Sequence, residues 1–517
     1  MRVVLVDPAP RRGIREAYES LGIAHIASFL RAGGHEVTLI SSALRCLSVR
    51  ATLRAIRKAD AEVIGFSVLE VHAKRALAMV DALRDAGSKA HITLGGHFPT
   101  FNHKKLLRRY EGIDSIVRGE GERTFLELVE RLSHNESLDG IEGLSFREVV
   151  KIQVNPPRAL IEDLDTLPFP ARDFAPLVLR QHSPLSISAS RGCYANCSFC
   201  SIRAFYDQSP GPKWRTRSPE RVVDEMEALV QRFGRSPIGF VDDQFVGPGK
   251  KGKEWAVQLG EEILRRKLGV PFTCSCRVND IDPDLFGLLK EAGLTRVFIG
   301  IESGTERGLL TFNKRTTIAQ NVHALATLDK LGIGYKIGFI FFDPYTTFEE
   351  VKQNFRFLSD IAPYWMKKRG MLSIEPSLIV HDGTPIHARL KRENRLSGTY
   401  LRHGYRIEDR KARIAQIAFQ FFVKKTFVFY FAFLRYARER LYDGVRTLRR
   451  GGARLGMRFG ESRQSPKKVL DKVKAVPKER SSTKSRQSQK KDLDKTAGPS
   501  EVVDSEPGPD YLRAYAR

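Results

Sequence analysis

Cysteine is scarce in this chain, with six residues among 517. So few cysteines, together with an N-terminal segment that predicts a strand and a turn rather than a signal peptide, argue against a secreted, disulfide-stabilised protein. No apolar run is long enough to cross a bilayer, and we expect a cytoplasmic protein. The hydrophobic content of 42% is still ample for buried cores, and the length suits two or three domains.

Acidic residues are also in the minority, with 60 Asp and Glu against 86 Lys and Arg, which gives a net charge of +26. Such a charge is compatible with nucleic-acid binding. Residues 446–517, however, carry 19 Lys and Arg against 9 Asp and Glu, and few large apolar residues. This composition predicts a disordered basic tail. The tail and a solvated surface account for much of the excess, so we expect no specific nucleic-acid partner.

Three of the six cysteines, Cys193, Cys197 and Cys200, follow a C-x3-C-x2-C pattern. This spacing can supply three thiolates to a four-iron cluster and leave one iron free for a small molecule. A structural zinc site is the alternative, but it requires a fourth ligand, and Cys274 and Cys276 are far along the chain. The segment before the loop predicts a strand, so the cysteines follow a strand end, where α/β barrels place their chemistry.

The same motif, with the aromatic residue Phe199 before its last cysteine, resembles the signature of the radical S-adenosylmethionine (SAM) enzymes. The resemblance implies that Cys193, Cys197 and Cys200 hold a [4Fe–4S] cluster whose open iron binds SAM. It also implies that an electron from the cluster cleaves SAM to a 5′-deoxyadenosyl radical, while the protein orients the fragments.

Short apolar runs alternate with helical periodicity over residues 1–135. The predicted strands are Val3–Asp7, Glu36–Ile40, Val63–Val68, Ile92–Gly95 and Ser115–Val117. This alternation predicts a doubly wound, Rossmann-type parallel sheet with helices on both faces, whose ligands bind beyond the carboxyl ends of the strands. The candidate ligand-binding residues of the loops at that edge are Ser67, Gly95, Gly96, Gly119, Glu120 and Gly121.

These loops, together with the helical run at residues 20–37, resemble the cobalamin-binding domain found upstream of many radical SAM domains. The resemblance implies that the candidate loop residues contact cobalamin. The Asp-x-His-x-x-Gly motif that supplies an axial histidine in cobalamin mutases is absent, and His97 lies in a different loop. Cobalamin bound without a histidine ligand and a domain that has lost the cofactor both remain compatible with this pattern.

Residues 136–184 predict a hairpin and then a proline-rich linker, whose Leu-Pro-x-Pro-Ala-Arg pattern also precedes the cluster in the cobalamin-linked relatives. Strand and helix patterns alternate again over residues 185–378. This alternation predicts a parallel barrel, complete or partial, and six strands fit the open (β/α)6 form of the TIM barrel found in radical SAM enzymes. The fold class is therefore α/β, with both sheets parallel.

Polar residues follow the second, third and fourth strands of this barrel, where SAM requires both acceptors and donors. They are Asp242, Asp243, Arg277, Glu302 and Ser303. The family resemblance implies that Asp242 or Asp243 meets the SAM ammonium group and that Glu302 contacts the ribose. Arg277 can pair with the SAM carboxylate, because a planar guanidinium suits that partner. A salt bridge at the barrel rim is the alternative interpretation for each charged residue.

Residues 379–445 predict a helical C-terminal region that starts with a Gly-Thr-Pro turn similar to one in cobalamin-linked members. Its long helical pattern at 409–442 is unusually rich in aromatic residues. A cap on the barrel mouth is the simpler interpretation, and an interfacial helix that contacts a membrane peripherally is the alternative.

The combined resemblance implies a cobalamin-dependent radical SAM enzyme, and C-methylation of a small-molecule metabolite is the commonest reaction of such enzymes. It also implies an electron donor such as flavodoxin or ferredoxin, which reduces the cluster. Cyclisation or rearrangement by the same architecture, as in anaerobic tetrapyrrole cyclases, is the first alternative. RNA modification is the second, although such enzymes usually carry a second set of three cysteines, which this sequence lacks. A binding protein without activity is the third, and the retained Phe199 and Glu302 argue against it.

Overall fold

The computed structural model describes residues 1–9, 19–148, 151–366 and 370–421. The predicted basic tail and most of the aromatic-rich pattern therefore lie outside the described residues. Within the described part, no helix combines the length and the apolar character that a bilayer crossing requires.

Five parallel strands form the centre of the first sheet, in the order β2-β1-β3-β4-β5. They are β1 (Arg2–Asp7), β2 (Glu36–Ser41), β3 (Val63–Ser67), β4 (His91–Gly95) and β5 (Ser115–Val117). The helices between and after them are α1 (Leu21–Ala32), α2 (Val49–Lys58), α3 (Ala73–Asp85), α4 (His97–Arg109) and α5 (Glu122–Ser133). The parallel sheet predicted for this part of the chain is confirmed.

Strand β1 shows why this sheet is covered on both faces. Val3 and Leu5 belong to one buried core, and Val4 and Val6 belong to the other. Side chains of a strand alternate between the two faces, so four consecutive apolar residues require helices on both sides. The continuous apolar run in the sequence is therefore the direct cause of the layered architecture.

The predicted hairpin is present as β6 (Leu144–Glu148) and β7 (Lys151–Val154). Strand β6 pairs antiparallel with β5, and β7 pairs antiparallel with β6. The first sheet thus has seven strands and extends to Val154, beyond the boundary expected at residue 135. The linker that follows contains the helix α6 (Ala175–Arg180).

The second half is built on strands that the structure places, in chain order, at β8 (Leu185–Ile187), β9 (Ser190–Gly192), β10 (Trp214–Thr216), β11 (Ile238–Phe240), β12 (Phe272–Arg277), β13 (Leu294–Glu302), β14 (Gly334–Ile340) and β15 (Gly370–Glu375). Six of them form a parallel sheet in the order β8-β11-β12-β13-β14-β15, which confirms the partial barrel. Strands β9 and β10 form a separate antiparallel pair beside the cysteine loop.

The helices of this half are α7 (Ser201–Tyr206), α8 (Pro219–Phe233), α9 (Gly249–Arg265), α10 (Pro283–Glu291), α11 (Glu306–Thr311), α12 (Ile318–Leu331), α13 (Phe348–Asp360), α14 (Ala362–Trp365) and α15 (Pro385–Arg392). Local sequence sets several of their starts. Ser218, Asp282 and Thr384 each precede a proline and accept a hydrogen bond from a backbone N–H three residues on. A polar cap followed by proline is a strong start signal for a helix.

The region after the barrel contains more than helices. After α15 comes an antiparallel hairpin of β16 (Leu396–Thr399) and β17 (Arg402–Tyr405), which the sequence did not predict. Both strands are only four residues long, and together they contain two glycines and one threonine, so their apolar periodicity is weak. Residues 410–421 are then helical, as the aromatic-rich pattern predicts.

Candidate functional site

The three motif cysteines lie in the loop between β9 and α7. All are free thiols, with Cys197 buried and Cys193 and Cys200 half-buried. Burial raises the pKa of Cys193, and it raises that of Cys200 to about 12. Thiols that resist ionisation in this way release protons when a metal binds, and the metal then stabilises the thiolates. Three such donors on one short loop fit a four-iron cluster with one open iron.

Contacts with the end of α11 hold this loop in place. The Ser198 hydroxyl donates to the Thr311 carbonyl oxygen at 2.6 Å, and the Ser198 N–H donates to the Phe312 carbonyl oxygen at 2.9 Å. The Phe199 ring packs edge-to-face on Phe312, with ring centroids 5.1 Å apart. The predicted family aromatic therefore helps to fix the cysteine loop against the barrel.

Arg277, the last residue of β12, contacts the cysteine loop directly. Its Nη1 donates to the Cys197 sulfur at 3.1 Å, and its Nε donates to Asn279 Oδ1 at 3.2 Å. Its Nη2 also donates to the Lys314 carbonyl oxygen. The guanidinium is thus beside a predicted cluster ligand, where a hydrogen bond to sulfur affects the electronic properties of a cluster.

Asp242 and Asp243 follow β11 and face the strand that leads into the loop. Asp242 Oδ1 accepts hydrogen bonds from the Ser190 hydroxyl at 2.6 Å and from the Ser190 N–H. Asp243 accepts from the Gly192 N–H at 3.1 Å. Burial raises the pKa of Asp242 to about 7 and that of Asp243 to about 6. These buried carboxyls therefore orient β9 and can change protonation near neutral pH.

Glu302 and Ser303 lie at the end of β13. The Glu302 backbone has φ +68°, which is unusual for a residue other than glycine, and functional sites are where such strain accumulates. Glu302 Oε1 lies 3.0 Å from Lys314 Nζ, and both side chains are largely buried. Ser303 is buried and its hydroxyl lies 3.2 Å from that of Thr305. The ion pair at the barrel rim considered for Glu302 is thus present.

A cavity of about 290 Å³ lies between the carboxyl edge of the first sheet and the segments on either side of the cysteine loop. Every loop residue predicted to contact cobalamin lines it, namely Ser67, Gly95, Gly96, Gly119, Glu120 and Gly121. Residues of the second half that line it include Ser190, Arg191, Phe205, Tyr206 and Asp243. The fold therefore brings the predicted cobalamin loops and one predicted SAM residue to a single cavity.

The backbone of the cavity wall suits close approach by a large cofactor. Gly96 has φ +97°, and a Cβ there would lie 3.0 Å from the Val68 carbonyl oxygen. Gly119 also has a positive φ, of +71°. Only glycine adopts such conformations without strain, and it leaves no side chain in the cavity. The residues present thus fit the predicted cobalamin site.

Glu120 has protein partners for both carboxylate oxygens, although the residue lines the cavity. Arg191 Nη1 donates to it at 3.1 Å, Arg215 Nη1 at 3.0 Å, and the Ile161 N–H at 2.8 Å. Glu122, two residues later, pairs with Arg191 Nη2 at 2.6 Å. The Gly-Glu-Gly-Glu loop of the first sheet is therefore tied to the strand that carries the cysteine motif.

Two histidines line the cavity, and they differ in their contacts. His97 stacks on Phe205 with centroids 4.1 Å apart and an angle of 3° between the rings, and burial lowers its pKa to about 4. His25, in α1, was not identified from the sequence. Burial lowers its pKa to about 3, and its Nδ1 has no hydrogen-bond partner among the described residues. A histidine on the apolar face of α1 was the only sequence signal for it.

Comparison with known proteins agrees with this geometry. The B12 binding domain family matches residues 14–129, and the radical SAM superfamily matches residues 187–358. An uncharacterized methyltransferase of Pyrococcus horikoshii is 32% identical over 364 residues, which cover 69% of this chain and 77% of that protein.

Two further relatives have assigned activities. The anaerobic magnesium-protoporphyrin IX monomethyl ester cyclase of Rubrivivax gelatinosus is 29% identical over 70% of this chain and 66% of that protein. The hopanoid C-3 methylase of Methylococcus capsulatus is 30% identical over 66% of this chain and 64% of that protein.

The fold is also shared with a solved structure, the cobalamin-dependent SAM radical enzyme OxsB with aqua-cobalamin and SAM bound. The TM-score is 0.69 at 22% identity, over 82% of this chain and 67% of that chain. The radical SAM match implies an iron–sulfur cluster and SAM as cofactors, and the B12-binding match implies cobalamin. The chain belongs to the radical SAM superfamily, among the cobalamin-dependent enzymes that carry an N-terminal B12-binding domain.

Proposed function

We propose that this enzyme C-methylates a small-molecule metabolite in the cavity between its two halves. The cavity supports this proposal, because the predicted cobalamin loops and the segments around the cysteine loop line the same space. A substrate bound there would lie between a methyl donor on one side and the site of radical formation on the other. Holding the reacting groups in one cavity removes much of the entropic barrier to their reaction.

Each predicted residue has a role in this proposal. Cys193, Cys197 and Cys200 hold the cluster, which when bound supplies the electron for SAM cleavage. Asp243 is the candidate partner of the SAM ammonium group, because it lines the cavity and Asp242 does not. The remaining predicted contacts with SAM are made by Glu302, Ser303 and Arg277.

The role of Arg277 depends on its position beside Cys197. Its Nη1 already contacts the Cys197 sulfur, so a SAM carboxylate on the open iron would be within reach of the same guanidinium. Arginine has five N–H donors, so it can contact both groups at once. Glu302 can reach a ribose hydroxyl only if it shares its carboxylate with Lys314, whose Nζ is 3.0 Å away.

Cyclisation is a second candidate function, because the Rubrivivax cyclase matches 70% of this chain. The two functions differ in the fate of the SAM methyl group. A methyltransferase incorporates it into the product, whereas a cyclase forms a bond within its substrate. The cavity geometry is compatible with either.

A labelling experiment separates the two functions. The protein, reconstituted anaerobically with iron, sulfide and cobalamin, is incubated with reductant, CD3-labelled SAM and a metabolite extract from cells that lack the gene. Methylation predicts formation of 5′-deoxyadenosine together with a product that carries the CD3 group. Formation of 5′-deoxyadenosine with no labelled product would contradict the methylation proposal and favour cyclisation.

A matched cysteine pair provides the control. Cys197→Ala should abolish 5′-deoxyadenosine formation and reduce the iron content, because Cys197 is one of the three loop thiols. Cys46→Ala should change neither, because Cys46 is exposed and lies in the first half of the chain. Full activity in Cys197→Ala would contradict the cluster assignment.

The cellular partners are also proposals. Reduction of the cluster requires a donor such as flavodoxin or ferredoxin, and the net charge of +26 favours an acidic one. A cytoplasmic location would keep the cluster reduced. Peripheral membrane contact is proposed at the helix of residues 410–421, where Ile414, Ile417 and Phe421 are exposed. Their i, i+3, i+7 spacing places them on one face.

A further inference from the structure

We propose that Asp382, His387 and His403 form a second metal site, which binds a divalent transition-metal ion such as Zn²⁺. The three residues come from the turn after β15, from α15 and from β17, outside both predicted cofactor sites. Their candidate ligand atoms all lie within 4.8 Å of one another. The side chains are 12%, 17% and 6% exposed, respectively, so the cluster is largely shielded from bulk water.

The distances suit a tetrahedral ion. Asp382 Oδ1 lies 3.0 Å from His403 Nε2 and 3.6 Å from His387 Nε2. Zinc bonds to nitrogen and oxygen of about 2.0–2.1 Å place tetrahedral ligands about 3.3 Å apart. Both distances differ from that value by only a few tenths of an ångström. The carboxylate is therefore placed to share an ion with either imidazole, and the two histidine ligand atoms lie within 4.8 Å of each other.

His403 provides an independent observation. Its Nε2 is buried and lies 3.0 Å from Asp382 Oδ1, but the two groups are not aligned as a regular hydrogen bond. A buried ring nitrogen this close to a carboxylate normally directs an N–H at it, so the misaligned contact requires an explanation. Coordination to a metal ion provides one, because the ring nitrogen then directs its lone pair at the ion and needs no hydrogen bond.

The surroundings orient the candidate ligands. Asn102 Nδ2 donates to Asp382 Oδ2 at 3.0 Å, which leaves Oδ1 directed at the two histidines. The Thr384 hydroxyl accepts from the His387 N–H at 3.3 Å and caps α15, so it fixes the start of the helix that carries His387. Such supporting contacts are typical of metal centres.

The donor set indicates the kind of ion. Two imidazoles and one carboxylate suit zinc with an open fourth position, whereas the sulfur-rich loop at Cys193–Cys200 suits iron–sulfur chemistry. Because Asn102 belongs to α4 of the first sheet, a metal at Asp382 would also connect the C-terminal hairpin to the cobalamin-binding half.

Zinc retention by the full-length holoenzyme tests the site. The protein, loaded with cluster and cobalamin, receives one equivalent of Zn²⁺ and is then gel-filtered. We expect about one zinc per chain, and zinc K-edge X-ray absorption should show nitrogen and oxygen ligands at about 2.0–2.1 Å. Sulfur ligands at about 2.3 Å would place the zinc in the cysteine loop and overturn the proposal.

Variants complete the test. His403→Ala and Asp382→Asn should each weaken zinc binding by at least about tenfold. Asp382→Asn keeps the shape of the side chain, so it tests the zinc site even if His403→Ala does not fold. His323→Ala is the matched control, because His323 is exposed on α12. Equal zinc retention in Asp382→Asn and in this control would overturn the proposal.

Discussion

The ion pairs of Arg191 provide a quantitative test of how the two halves are joined. Arg191 lies two residues before the first motif cysteine and contacts Glu122 at 2.6 Å and Glu120 at 3.1 Å. The three side chains are 14%, 5% and 8% exposed, respectively. Although burial opposes it, Arg191 holds the pKa of Glu122 below its usual value. Arg191→Met removes the charge and keeps most of the side-chain length.

The expected loss of stability depends on which ion pairs remain in Arg191→Met. Glu120 keeps its ion pair with Arg215 at 3.0 Å, whereas no other ion pair of Glu122 is found among the described residues. Removal of one member of a buried pair typically costs about 3–5 kcal/mol, because the other charge stays buried without compensation. We therefore expect Arg191→Met to lower the free energy of unfolding by about 3–5 kcal/mol. The double variant Arg191→Met/Glu122→Gln should lose less stability than Arg191→Met, because it leaves no charge at position 122.

Anaerobic urea unfolding at pH 7.5, followed by circular dichroism, measures this loss. The control is Lys250→Met, because Lys250 and Glu254 are 91% and 56% exposed and their ion pair should contribute less than about 1 kcal/mol. The pH dependence provides a second readout. In the wild type the depressed Glu122 pKa adds stability at neutral pH that is lost on acidification. In Arg191→Met, burial is opposed only by a backbone hydrogen bond and by Arg215, so acidification should cost less stability than in the wild type. If Arg191→Met lowers the free energy of unfolding no more than the control does, the buried ion pair does not stabilise the protein.

Three further predictions concern the two cofactor sites. Gly96→Ala should lower the free energy of unfolding by about 1–3 kcal/mol and weaken cobalamin retention, because φ at Gly96 is +97°. The control is Gly287→Ala, in α10 with open space around it, which should raise the free energy of unfolding by about 0.5–1 kcal/mol. Urea unfolding measures the stability of both variants. Asp242→Asn should flatten the pH dependence of stability between pH 4 and 7. The folded pKa of about 7 exceeds the usual 3.8, so wild-type stability falls as pH rises through this range, and unfolding at pH 5 and pH 7.5 checks the slope. Arg277→Gln should lower the reduction potential of the cluster, because it removes the hydrogen bond to the Cys197 sulfur; a redox titration monitored by electron paramagnetic resonance that shows no shift would contradict this role.

The layered architecture was readable from the sequence because its signal is local. A parallel strand covered on both faces is a short continuous apolar run, as in Val3–Val6, and the alternation of such runs with helical patterns repeats along the chain. The cysteine motif is local as well, since all three thiols lie within eight residues. The two short strands of the C-terminal hairpin were missed because four residues carry too little periodicity.

The contacts within the sites depended on residues far apart in the sequence. Glu120 was expected to face cobalamin, and the structure shows that its oxygens are bound by Arg191 and Arg215, 71 and 95 residues away. Asn102 and Asp382 meet across 280 residues. Sequence patterns over a few residues carry no information about such partners, because burial and pairing exist only after the chain has folded.

Periodicity and spacing act over a few residues, so the two mainly parallel sheets and the three-thiol loop are encoded locally and could be predicted. Packing between distant elements, in contrast, brings the glycine loops and Asp243 to one cavity and lets Arg191 join the two halves. The same packing makes Asp382, His387 and His403 converge. No single segment encodes such positions, because each side chain at a site is placed by elements that meet only in the folded chain.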